Sequence, residues 1–83
     1  MFNIIIKNLD SVKYYQSLRS SKYYNEGLFT IHSNGYHKCS VSFKNVLIRF
    51  DNEILEVIIS KDCAVQFPWT EFEKFEVTKG ETK

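Results

Sequence analysis

His32, His37 and Cys39 stand close together in the chain, and imidazole beside a thiol is the raw material of metal sites and of nucleophilic catalysis. Their number and spacing argue against both. These are the only two histidines, whereas a stable zinc site takes three or four ligands. The hairpin register set out below also puts the two imidazoles on opposite faces of the sheet. His37 and Cys39, two apart on one strand face, would sit roughly 6.5–7 Å from each other, too far for a direct hydrogen bond. No oxyanion-hole glycines accompany them. The carboxylates fall in turns and on polar strand faces, where a solvated charge is the ordinary outcome. Three glycines, none adjacent, make no phosphate-cradling loop. The sequence therefore predicts no enzyme, no cofactor and no metal site.

Two other constellations suit binding. In "KYYQSLRSSKYYN", residues 13–25, a Lys-Tyr-Tyr triplet occurs twice with Arg19 between the copies. Lys13, Arg19 and Lys22, joined by Lys38, would contact phosphates while Tyr14, Tyr23 or Tyr24 stack on bases. Against this, Tyr15 and Leu18 would dock a helix on the sheet with the lysines as its solvated side, and the isoelectric point of about 7.8 is low for a nucleic-acid footprint. The second constellation is "PWTEFEKFEV", where Trp69, Phe72 and Phe75 alternate with Glu71, Glu73 and Glu76. Core packing accounts for most such rings. One ring left exposed among carboxylates would be a hot spot for a basic protein surface, or would imitate nucleic acid.

The elements that must position these residues follow from periodicity. "MFNIIIKN" is short and β-branched on both faces, which predicts a central strand. Asp10 and Ser11 offer helix caps, and Val12, Tyr15 and Leu18 recur at helical spacing, so one helix is expected over about residues 11–20. From Gly27 the period becomes two. Asn34-Gly35 marks a hairpin, and a three-residue loop Ser33-Asn34-Gly35 is the register that gathers Phe29 and Ile31 with Cys39, Val41 and Phe43. A tight loop at Lys44-Asn45 would then set Phe43 against Val46, Val41 against Ile48 and Cys39 against Phe50. Further turns are expected at Asp51-Asn52-Glu53 and Lys61-Asp62, with Leu55, Val57 and Ile59 on the core face. Pro68 ends the following strand or places it at an edge. Thr70 to Glu73 reads as a capping box opening one helical turn before "FEV".

Eighty-three residues with 43% apolar content suffice for a single folded domain, expected over 1–77 with a disordered tail at 78–83. No apolar run reaches the roughly 18 residues of a membrane helix, and two cysteines without C-x-x-C spacing fit reduced thiols, so a soluble cytoplasmic protein is expected. A disulfide between Cys39 and Cys63 stays open if their strands prove adjacent. Ala64 is the only alanine and Lys outnumbers Arg, a bias that AT-rich coding would produce, as in a low-GC bacterium or its phages and mobile elements. Charge is uneven: residues 1–50 carry seven Lys and Arg against two carboxylates, net +5, and residues 51–83 carry four Lys against eight, net −4. The halves form a bipolar surface, or cancel if interleaved in one sheet.

The reading is an α+β fold, a curved antiparallel meander of five to six strands with one helix packed on it; a small half-open β-barrel is the alternative. The expected function is a non-enzymatic protein-binding module, extending to a phage or mobile-element inhibitor or modulator of a host protein. A nucleic-acid-binding accessory protein using residues 13–24 is the alternative. An edge strand pairing with its copy would add a homodimer.

Overall fold

The computed structural model describes residues 1–33, 35 and 37–80. It is mostly antiparallel sheet. In chain order the elements are β1 (Phe2–Asp10), α1 (Ser11–Arg19), α2 (Lys22–Asn25), β2 (Phe29–Ser33), β3 (Lys38–Phe50), β4 (Ile54–Ser60), β5 (Cys63–Pro68), a 3-10 turn (Trp69–Glu71) and β6 (Lys74–Lys79). The sheet is open and six-stranded in the order β5-β4-β3-β1-β6, with β2 also paired to β3. β1 is central, as its two-faced isoleucines require: Ile4 and Ile6 are fully buried on the core face, while Ile5 on the other face is 38% exposed. None of the described helices is long and apolar enough to cross a membrane.

The main departure from expectation lies at residues 44–45. There is no turn there: β3 runs unbroken from Lys38 to Phe50. Phe43 pairs with Phe29 and Ile4 rather than meeting Val46, and Val46 pairs with Phe2. The spacing from Phe43 to Val46 breaks the two-residue period, and a tight turn or a bulge resets it equally well. The chain uses a bulge: Asn45 adopts φ 55°, a left-handed conformation that asparagine tolerates, and the pairing register of β1 on β3 shifts beside it. The first half of β3 lies between β1 and β2, and its second half pairs with β4. Asn8, at φ 62°, marks a matching irregularity in β1.

The β2–β3 hairpin keeps the expected faces, with Phe29 opposite Phe43 and Ile31 opposite Val41. Its loop is longer than a three-residue turn, because Ser33 pairs with Cys39 and residues 34–38 connect them. Asn34, the signal for the turn, lies outside the described residues. The turns at 51–53 and 61–62 stand where expected, and β5 ends at Pro68. Thr70 caps nothing; the 3-10 turn starts a residue earlier, behind Pro68, without a side-chain cap. β6 reaches Lys79, two residues beyond the expected domain limit at 77, and the Gly80 amide donates to the Met1 carbonyl; residues 81–83 lie outside the described residues.

The one-helix description holds only roughly. α1 is capped by Asp10, whose carboxylate accepts from the Val12 amide, and Ser21 caps the one-turn α2 in the same way. The buried face of α1 is also rotated from Val12-Tyr15-Leu18. Val12 is 71% exposed, while Tyr14 and Tyr15 flank the buried Leu18 against the core. That core is one cluster, from Ile4, Ile6 and Leu9 through Phe43 and Val46 to Leu55, Val57 and Phe67.

Candidate functional site

Phe50 ends β3 at the mouth of the 51–53 turn, and Trp69 opens the 3-10 turn that follows Pro68. Proline sends the chain out of β5 and lays the indole across the turn. The Trp69 Nε1–H donates to the Asp51 carbonyl at 2.7 Å, and the Trp69 amide donates to the Glu53 carbonyl at 3.1 Å. A ring bonded through its own N–H on a backbone that is itself tied to the turn loses little further freedom on binding a partner. Phe50 and Trp69 lie nearly parallel, at 8° with centroids 6.1 Å apart. Phe75 on β6 touches both, at 5.9 and 5.8 Å, and Phe72 closes the cluster from below at 5.7 Å from Trp69 and 6.2 Å from Phe75. Phe72 is buried and Trp69 and Phe75 are half-buried, whereas Phe50 leaves 58% of its surface to solvent. On the same face of the sheet, the exposed Val77 and Phe2 extend the apolar surface from Phe75.

Carboxylates rim the cluster. Asp51, Glu53 and Glu73 are exposed, and among the described residues none of them is in an ion pair. Glu73 accepts a hydrogen bond from the Asn8 side chain at 2.8 Å. Glu71 is different, being paired with Lys13. Cations stand close by as well: Lys79 on β6 lies opposite Phe2, and Arg49, paired with Glu56, precedes Phe50 and is held charged in part by the Asp51 carboxylate. Phe50 was not legible as a site residue, since the expected turn at 44–45 assigns it to the core opposite Cys39. Its place immediately before Asp51-Asn52-Glu53 was the available signal.

The basic segment is arranged differently. The two Lys-Tyr-Tyr triplets occupy separate helices, and Tyr14, Tyr15, Tyr23 and Tyr24 all pack against the core. Tyr14 lies 6.0 Å from Phe67, and burial pushes its phenol above the ordinary pKa of 10.0. Tyr24 lies 5.8 Å from Phe29. The cations rest on rings of their own helices: Arg19 lies over Tyr15 and donates to its hydroxyl at 3.2 Å, and Lys22 sits 5.1 Å from the Tyr23 centroid. Lys13 is drawn to Glu71, which raises its pKa, and Lys38 stands opposite Asp10. The Lys13–Glu71 pair joins the two constellations into adjoining surfaces.

Ion pairs also show where the uneven charge goes. Lys7–Glu76, Lys13–Glu71 and Arg49–Glu56 each join a cation of residues 1–50 to a carboxylate of residues 51–83. The halves are interleaved, and much of their opposition is spent internally. His37 lies in the turn before β3 at φ 57° and is exposed, while Cys39 is fully buried, so the two do not share a strand face. Burial pushes the Cys39 thiol above its ordinary pKa of 9.0, with the Asp10 carboxylate adding to the effect, which is the opposite of what a nucleophile needs. Cys39 and Cys63 are free thiols on β3 and β5, which β4 separates.

No family model, curated protein or solved structure matches this chain. The case for function accordingly rests on its own geometry.

Proposed function

We propose that this chain is a non-enzymatic protein-binding module that docks a basic protein surface on the Phe50–Trp69–Phe75 cluster. One observation carries the reading: a large ring, 58% exposed, lies on a hydrogen-bonded tryptophan beside the exposed carboxylates of Asp51, Glu53 and Glu73, none of them in an ion pair among the described residues. Rigid aromatic anchors of this kind dominate protein interfaces, and the charged rim steers association. The inward-turned tyrosines leave segment 13–24 with cations but few free ring faces, which favours a protein over a nucleic acid as partner. In this reading the module works in the cytoplasm as an inhibitor or modulator of a host protein, encoded by a phage or mobile element. β6, an outermost strand, offers a further route to a homodimer, to be read by light scattering.

The test is capture from a low-GC bacterial lysate on immobilised wild type and on Phe50→Ala. A partner retained by the first and lost by the second is the expected result. Capture that is absent, or equal on both, sinks the proposal. An electrophoretic shift at low salt that weakens steeply as salt rises would move the case to nucleic acid.

A further inference from the structure

We infer that the partner inserts an arginine, whose guanidinium stacks on Phe50 and whose fork is met by the Asp51 and Glu53 carboxylates; this rests on the protein-docking reading above. Phe50 and Trp69 are parallel within 8° and Phe75 is tilted by 44° and 51° to them, and of the three only Phe50 is mostly exposed, so what the cluster offers a partner is chiefly one flat ring. The three centroids of Phe50, Trp69 and Phe75 stand 5.8 to 6.1 Å apart, so the rings fill the space between them and leave no cage for a rounded ammonium head. What fits is a flat cation lying against the outside. Guanidinium is planar, less strongly hydrated than ammonium, and stacks on aromatic faces while its edge N–H groups hydrogen-bond to carboxylates.

The turn supplies those carboxylates beside the ring. Asp51 and Glu53 follow Phe50 in the chain, and both of the turn's carbonyls that bond Trp69 belong to these two residues. The indole thus fixes the backbone from which the carboxylates project; Asp51 Oδ1 accepts from the Asn52 amide at 2.5 Å, which holds one oxygen of that carboxylate and leaves the other, with the exposed Glu53 side chain, to meet a cation. The molecule already uses this chemistry internally, where Arg19 lies 5.7 Å from the Tyr15 centroid.

Trp69 is the only tryptophan, so its emission reports directly on the cluster. Titration with hexa-arginine, hexalysine and hexacitrulline peptides at near-physiological salt separates planar cation, point charge and planar neutral group. Saturable change with the arginine peptide is expected, about tenfold tighter than with lysine, and none with citrulline. Phe50→Ala, and separately the pair Asp51→Asn with Glu53→Gln, should each weaken arginine binding about tenfold, while Phe50→Leu, which keeps bulk without a π face, should behave like alanine. Circular dichroism checks that each variant is folded. Equal affinity for arginine and lysine peptides, or arginine binding indifferent to Phe50→Leu, would overturn the inference. A lysate partner captured through Phe50 but not displaced by hexa-arginine removes this inference and leaves the docking reading standing; failure of capture removes both, even if hexa-arginine binds.

Discussion

Phe50 and Phe75 touch at 5.9 Å between ring centroids, although a straight β3 would hold them far apart. Phe75 pairs with Ile6, and Ile6 with Val41, so Phe75 lies two strands from Val41. Phe50 lies about 30 Å further along β3 at roughly 3.3 Å per residue. Contact requires the sheet to curl so that the second half of β3 returns towards β6, and a bulge such as the one at Asn45, where β3 passes from pairing with β1 to pairing with β4, bends a strand in this way.

Asn45 should therefore tolerate glycine and reject valine. A β-branched residue at φ 55° costs about 1–2 kcal/mol, whereas glycine adopts it freely. Urea unfolding of Asn45→Val and Asn45→Gly should differ by that amount, with Trp69 emission more solvent-exposed in the valine variant. Equal stability would place the bend elsewhere.

Phe67 is the residue on which α1 and the curled sheet both rest, fully buried and near both Tyr14 and Phe43. Phe67→Ala should cost about 3–5 kcal/mol, enough to threaten folding in a small domain. Val12→Ser, on the exposed side of α1, should stay within about 0.5 kcal/mol. A costly Val12→Ser would mean that the helix docks by the other face.

Acid should weaken the fold through Glu56 and Glu76. The Arg49 hydrogen bond, helped by Gln66, holds Glu56 below its ordinary 4.5, and Lys7 does the same for Glu76. A carboxylate with a lowered folded-state pKa contributes stability above the unfolded value and loses it as pH falls through the folded one. The urea midpoint should drop between pH 5 and pH 3, and drop less in Glu56→Gln with Glu76→Gln. High salt should shrink the difference, since both pairs are partly exposed.

Native thiol labelling should show one fast and one protected cysteine. Cys63 is half-buried at the start of β5, and Cys39 is fully buried with a raised pKa. Cys39 should react only at the rate of unfolding, and because its folded pKa lies above the unfolded one, stability should decline as pH rises past about 9. Rapid modification of both thiols would contradict the packing.

Local signals were readable where one physical rule acted alone. Pro68 could not continue a strand, 51–53 and 61–62 had turn residues between alternating runs, and the apolar face of the β2–β3 hairpin followed from burial. At 44–45 two devices answered the same pattern, and only the distant pairing of Phe2 with Val46 selects the bulge. On α1 the tyrosines could serve either face, so Phe67 decided. Trp69 and the glutamates of the candidate site were visible as a constellation, but the exposure of Phe50 depended on the bend.

β1 has both its neighbours far along the chain, β3 on one side and β6 on the other. Its isoleucines are made early yet find partners late, and the pairing with β6 joins residues 2–7 to 74–79. Such distant closure slows folding towards the millisecond-to-second range. Until β6 arrives, one flank of the most apolar strand stays open, and that interval is when the chain is most exposed to aggregation.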